Sequence, residues 1–427
     1  MIEALRSVAS LLLGAGILIL ANGLMGITLP IRMGIEGLPP EVSGLVMSSY
    51  YAGLVGGCIF GQRIIGRVGH IRAFAAFAAV ASAATLLHAL WFDVLPWAIL
   101  RGVSGFCLAG LFASIESWLN VRSSNETRGQ ILSFYMVTAY FSSGVGQLLV
   151  NGWQVTGVEL FCLAALMFSL SLVPVVLTRV DAPDLGHIRA LSFRQLYEIS
   201  PLGVAGTFGA GLLSGAFYGM GAIFGQAIGL SIFSVSLFMG ASVFGGLLLQ
   251  WPIGRLSDRF DRRTVLVWVL TATAVVCFAQ YLVAVMDVGT FGMMFALTGL
   301  FGGFMATLYP ISVAHAFDYV DRDQTVAASA GMLLAWAIGA TCGPLLAAAV
   351  MGQLGPSSLF LFLMVTGAAL AAFARHRMRQ RPALPAEEQG PFVPLDAIAV
   401  GSQLDPRTDT GDDLPPAEEE PRRATAG

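Results

Sequence analysis

A carboxylate inside an apolar helix is expensive, and this sequence carries one in the run Gly110-Leu-Phe-Ala-Ser-Ile-Glu116. An ionised side chain at mid-bilayer costs about 2.5–3.5 kcal/mol on insertion scales, so each one retained invites a functional reading. Two readings fit Glu116. It lies about a turn and a half from the end of its run, near Arg122 and Arg128, where an ion pair would close an inner gate. Alternatively, an acid that trades an Arg partner for solvent changes its proton affinity and can carry a proton. Arg101 stands earlier in the same run, about 22 Å away along a helix axis and within about 60° of the same face. It reads either as an anion-binding or proton-tuning group, or as a cation bonded to backbone carbonyls. His315 and His88 sit at ends of apolar runs, where helix-end hydrogen bonding is the simpler reading, although an imidazole there could titrate near neutrality.

Other chemistries are missing from the sequence. It has no Lys, which removes Schiff-base and lysine-centred catalysis. Cys58, Cys107, Cys162, Cys277 and Cys342 are odd in number, lie in apolar runs and lack metal-ligand spacing, so they read as packing residues, and no metal or cofactor is expected. No run holds paired acids, a His cluster or a nucleophile motif, which argues against an enzyme. With 56% hydrophobic residues, 11% charged residues and a mean hydropathy of +0.76, lipid must be the solvent of this chain. Its net charge of -3, with scattered arginines, offers no face for nucleic acid.

The elements that position these side chains are membrane spans of about 20 apolar residues. Breaking the sequence at charged, Pro-rich and Asn-rich stretches gives twelve, near 8–30, 42–62, 73–92, 96–120, 130–151 and 157–178, then 201–226, 231–253, 264–286, 289–315, 325–351 and 357–374. The first run is too long and lacks the cleavage site of a removable signal. Arg6, Arg63, Arg67, Arg72, Arg122, Arg128, Arg179, Arg189, Arg194, Arg255, Arg259, Arg262, Arg263, Arg322, Arg375, Arg377, Arg379 and Arg381 fall on one side, with Arg32 alone opposite. That side is expected to be cytoplasmic, with both termini, in an inner (cell) membrane. The expected organisation is an all-α membrane protein with six-helix halves at 1–179 and 201–375. A hinge linker at 180–200 joins them, and a cytoplasmic, largely disordered tail follows at 376–427.

The halves resemble one another. Gly110-Leu-Phe-Ala-Ser-Ile-Glu116 reappears as Gly303-Phe-Met-Ala-Thr-Leu-Tyr309, and Gly66-Arg67-Val68-Gly69 matches Asp258-Arg259-Phe260-Asp261 at nearly the same offset of about 190 residues. That register sets Pro310, a bend in the tenth span, opposite Ser117. Duplicated halves related by an axis along the membrane normal suit a rocker, with a site at their interface that faces each side in turn.

The loop Gly254-Arg255-Leu256-Ser257-Asp258-Arg259-Phe260-Asp261-Arg262-Arg263 resembles the G-x-L-[AS]-D-[RK]-x-G-R-[RK] signature of the major facilitator superfamily, departing at Asp261. Arg101-x-x-x-Gly105 in the fourth span resembles the motif of its proton-coupled members, and Arg128-Gly129 opens the fifth span as in the family. Glu116-Ser-Trp-Leu-Asn and Gln250-Trp-Pro-Ile-Gly-Arg are similar to the YcaD-like bacterial branch. The antiporter motif G-x-x-x-G-P is degraded to Ser142-Ser-Gly-Val-Gly146-Gln147 in the fifth span, while a clean Gly339-x-x-x-Gly343-Pro344 stands in the eleventh. The resemblance implies a secondary transporter of a small solute, with protons as a coupling ion and a monomer as the working unit. It also implies a charge latch at Asp258, Arg259 and Arg262. A cavity between the first, fourth, seventh and tenth spans makes Asn22, Ser114, Tyr218, Gln226 and Tyr309 the expected solute ligands. The same residue types also serve as interhelical hydrogen-bond glue, and Phe217, Tyr218 and Trp336 are aromatic enough to be packing alone. The rival class is a receptor or scaffold that keeps the fold without transport.

Overall fold

The structure is a computed structural model that describes residues 2–124, 127–177, 191–286, 291–321, 324–380, 389–390 and 392–393. Its long helices are α1 (Ile2–Ile35), α2 (Pro40–Val68), α3 (His70–Leu90), α4 (Val94–Val121) and α5 (Arg128–Leu148). The sixth run is broken at Ser171 into α6 (Glu159–Leu170) and α7 (Leu172–Val176), and a short α8 (Phe193–Ile199) follows. The second half continues with α9 (Pro201–Ala227), α10 (Ile232–Arg259), α11 (Arg262–Met286), α12 (Phe291–Phe317), α13 (Thr325–Leu354) and α14 (Ser358–Met378). Breaks fall where local chemistry demands them. Gly69, Gly229 and Gly355 take φ near +85° between helices (86°, 83° and 87°), a conformation that costs Gly least. Pro201 opens α9 behind Ser200, whose hydroxyl accepts from the Gly203 N–H at 3.2 Å, a Pro-plus-Ser start signal.

Eleven helices among the described residues are long and apolar enough to cross a membrane. The run expected as the fifth span forms the helix α5, which falls outside that set because Thr138, Tyr140, Ser142, Ser143 and Gln147 dilute its hydropathy. It packs against α1 and α10, as an interior helix would. The linker expectation at 180–200 lies partly outside the described residues. Its second part is α8, which Ser192 and Gln195 start with a reciprocal capping box.

Close glycine crossings expose the duplication. A Cβ on Gly53 would overlap the Gly102 carbonyl, and one on Gly105 would overlap that of Tyr50; these contacts join α2 to α4. In the second half, Gly245 meets the Gly299 carbonyl and Gly302 that of Ser242. The α1–α5 pairs Gly23–Ser143 and Gly146–Leu20 likewise recur between α9 and α13 as Gly215–Ala340 and Gly343–Leu212. In all four cases α1 and α2 residues recur 192 positions later (53 to 245), while α4 and α5 residues recur 197 later (102 to 299). The loop match of Gly66 with Asp258 keeps the offset of 192. The helix match does not: packing sets Glu116 opposite Val313 and Pro310 opposite Ala113, four residues from the register expected from sequence. A four-residue slip leaves a Gly- and Ala-rich helix on nearly the same face, which is why the sequence pattern tolerates it.

The halves meet through α1–α9, α2–α13 and α5–α10. Asn151 donates to Ser236 Oγ at 2.8 Å and Gln226 to the Ile31 carbonyl at 3.1 Å. Both bonds lie at the helix ends far from the arginine-rich loops.

Candidate functional site: a central cavity and a charge cluster

A cavity with about 1040 Å³ of empty space, part of it open, lies between the halves. Its wall follows the pseudo-symmetry: Asn22 faces its counterpart Ser214, Met47 faces Met239, and Gly26 and Tyr51 stand where the other half places Tyr218 and Val243. Aromatic rings close it. Tyr51 makes edge contact with Trp336 across the halves at 6.1 Å, Trp336 with Tyr309 at 6.5 Å, and Tyr50 with Tyr51 at 5.2 Å. The Tyr50 hydroxyl donates to Asn22 Oδ1 at 3.2 Å.

The expected ligands divide. Asn22, Tyr218, Tyr309 and Arg101 share this wall, whereas Ser114 and Gln226 do not reach it. Ser114 turns its hydroxyl back to the Gly110 carbonyl at 2.9 Å within α4, the bond a buried serine makes when its helix face meets packed neighbours. Gln226 instead ties α9 to α1 at the helix ends far from the arginine-rich loops. The sequence reading missed Tyr50, Tyr51, Met47, Tyr140 and Gln147, and it left Trp336 with packing as the simpler role. Gln147 was visible in one respect: it replaces the proline of Gly343-Pro344 at the symmetric position, so a polar side chain stands where its repeat has a helix bend.

Arg101 is 4% exposed, and its guanidinium carbon lies 4.4 Å from the centre of the Tyr50 ring, a cation–π distance. The spacing Arg101-x-x-x-Gly105 explains this placement. One helical turn beyond the arginine, Gly105 lets α4 close onto the Tyr50 backbone, which brings the guanidinium over the ring of that residue.

At the other end of the molecule, the loop that resembles the family signature forms a charge cluster. Arg262 is buried, with Nη1 donating to both carboxylate oxygens of Asp318 at 2.6 and 2.8 Å and to the Ala314 carbonyl at 3.1 Å. Asp258 is a more distant partner of Arg262, at 3.5 Å and 39% exposed. Arg259 is exposed. Asp261 breaks the signature by pairing with Arg263, at 2.9 Å. Sequence reading missed Asp318, though an acid just beyond the C-terminal end of α12 was the available signal. The tail residues that the structure describes touch this cluster. Arg262 Nη2 donates to the Gly390 carbonyl, the Phe392 N–H donates to Asp258 Oδ1 at 2.7 Å, and Val393 is buried. The rest of the tail lies outside the described residues.

Glu116 is buried away from the cavity wall, and the buried Tyr135 of α5 donates to its Oε1 at 3.4 Å. Arg128, at the start of α5, is buried as well. Among the described residues no group of His, Cys, Asp and Glu could hold a metal ion.

Comparison with known proteins agrees with this architecture. A family model described as the Major Facilitator Superfamily matches residues 202–407. MFS-type transporter YcaD of Salmonella typhimurium is 28% identical over 367 residues, covering 84% of this chain and 92% of the relative. The YcaD protein of Salmonella typhi aligns to the same extent. Among solved structures, a mutant of the nucleoside transporter NupG superposes with a TM-score of 0.72 at 11% identity, covering 87% of this chain and 99% of the other. A bacterial homologue of the human lysosomal transporter Spinster, in an inward-facing, occupied state, superposes with a TM-score of 0.68 at 13% identity, covering 90% and 97%. These two likenesses speak to the fold alone. With the helical architecture and the transporter-type relatives together, this chain is a multi-pass membrane transporter similar to those of the major facilitator superfamily, whose family model its second half matches.

Proposed function

We propose that the chain is a secondary transporter of twelve spans, α5 among them, in which two six-helix halves at 1–179 and 201–375 rock about a central cavity to carry a small solute. The observation that carries this reading is the cavity wall, drawn from pseudo-symmetric positions of both halves. A site shared by two rigid bodies changes its access when they rock, without being rebuilt. The outer ends are joined by Asn151–Ser236 and Gln226–Ile31, so the present arrangement is one with the outer side closed. Asp258, Arg259 and Arg262 would latch the opposite arrangement, and Glu116 with Arg128 would serve the inner gate or carry a coupled proton. The arginine asymmetry supports cytoplasmic termini in an inner membrane, and a cavity formed by both halves of one chain suits a functional monomer.

Two measurements test it. In a cysteine-free background, cysteines placed at the exposed Gly69 or Arg259 should resist an impermeant thiol reagent applied to intact cells and react in inside-out vesicles. Labelling from outside would overturn the orientation. For rocking, a cysteine at Ser214 on the cavity wall should react from either side of the membrane. A disulfide between Asn151→Cys and Ser236→Cys, which replace a hydrogen-bonded pair, should abolish its reaction from outside alone, reversibly with reductant. Outside labelling that persists through the crosslink, or never occurs without it, would sink alternating access.

A further inference from the structure

Among the described residues, Arg101 carries the one charged side chain on the cavity wall. It is nine-tenths or more buried, its Nε has no hydrogen-bond partner, and no ion pair to it occurs among the described residues. A buried cation without an anion is unfavourable unless something else compensates it, and the Tyr50 ring compensates only in part. Packing does not require it. The symmetric crossing of α10 with α12 closes through Gly245, Gly299 and Gly302 with Thr298 at the position equivalent to Arg101, and Thr298 is satisfied by Met294 and Gln280. The same helix crossing therefore forms in this molecule without a guanidinium, and the positive charge belongs to one half only.

The rest of the wall narrows what could meet that charge. Among the described residues no carboxylate lines the cavity, so none of them would attract a cation or neutralise Arg101. Tyr50, Tyr51, Tyr218, Tyr309 and Trp336 offer ring faces and edges, and Met47, Met239 and Met305 offer polarisable surface that adapts to flat apolar shapes. Asn22 and Gln147 add a few neutral polar groups. An arginine fork binds a planar oxyanion through paired, charge-assisted hydrogen bonds, which are about twice as strong as neutral ones. One cation favours one negative charge, since a second would be desolvated without a partner.

We propose that the solute recognised here is a small organic monoanion with an aromatic or comparable flat apolar body, its carboxylate-type group held by Arg101 and its body by the Tyr50, Tyr51 and Trp336 rings. This rests on the transport reading of the same cavity. The test uses purified full-length protein in detergent and a probe panel of benzoate, phenylacetate, cinnamate and indole-3-acetate, each beside its neutral amide, with benzylamine and phenethylamine as cations. Saturating carboxylates should raise the melting temperature while the matched amides and amines do not. Arg101→Gln, shown to be folded by circular dichroism and gel filtration, should weaken the best carboxylate at least about tenfold, and Arg101→Lys should weaken it less. Amides or amines that stabilise as well as the acids would overturn the proposal, as would an unchanged affinity in Arg101→Gln or a panel in which no acid stabilises. Flux in proteoliposomes separates this from the transport reading. Arg101-independent uptake of a neutral or cationic solute refutes the anion site and leaves transport standing, whereas carboxylate binding without counterflow refutes transport and leaves the site.

Discussion

Replacing Asp318 with Asn is expected to destabilise the second half by about 3 kcal/mol, because breaking a buried ion pair from one side leaves its partner charged and desolvated. Arg262 is the side chain left behind. It is 1% exposed, and among the described residues it keeps the neutral amide oxygen at position 318, the Ala314 and Gly390 carbonyls and the longer contact to Asp258, the one charge left near it. The loss should appear as a lower melting temperature in detergent. The double variant Arg262→Gln, Asp318→Asn should recover part of it, as expected for residues whose effects are coupled through one contact. Asp258→Asn, by contrast, should leave folding almost intact and slow transport, since Asp258 is 39% exposed and 3.5 Å from the guanidinium. An Asp318→Asn variant that melts with the wild type would show that Arg262 is compensated elsewhere.

The contrast between Asp258 and Asp318 shows where the sequence was legible. Asp258 stands out because it occupies a recognisable loop, and local spacing is what a sequence displays directly. Asp318 forms its bond across 56 positions, after a helix that reads as apolar and ends in a loop, and nothing local ties it to Arg262. The spans were readable because a bilayer demands length and hydropathy of every helix, and that demand is local. It fails at α5, where polar side chains face the interior instead of lipid; Gln147 and Tyr140 lower the hydropathy for the same reason that they line the cavity.

The cavity was legible only in part, for a geometric reason. Choosing polar residues on the first, fourth, seventh and tenth spans finds Asn22, Tyr218 and Tyr309 but says little about rotation around each helix, so Ser114 and Gln226 were taken with them. It also overlooks α2, α5, α10 and α13, which supply Tyr50, Tyr51, Gln147, Met239 and Trp336 to the wall. The glycines that set the helix crossings hold the missing rotation. Once Gly105 is fixed against Tyr50 and Gly302 against Ser242, the face that each helix turns inward follows, and so does the position of Arg101.

Neutralising Glu116 should have the largest effect on coupling, and the pattern of loss separates its two roles. Glu116 is a buried acid beside the Tyr135 hydroxyl, on the helix that also carries Arg101 but off the cavity wall. If it carries the proton, Glu116→Gln should reduce accumulation against a gradient at least about tenfold while sparing exchange between preloaded proteoliposomes, because exchange need not cycle a proton. If it closes the inner gate instead, both activities should fall together. The gate reading also predicts coupling with the buried start of α5: Arg128→Gln in the Glu116→Gln background should add little further loss, whereas independent residues would add their effects in full. Tyr135→Phe sharpens the choice, since it removes the donor at 3.4 Å without touching the charge. A proton carrier that loses this donor should show a changed pH profile of transport. A gate residue held by tyrosine should show a smaller rate at every pH and no displaced optimum. Wild-type accumulation by Glu116→Gln would remove the carboxylate from coupling altogether and leave His315, at the inner end of α12, as the next titratable group to replace.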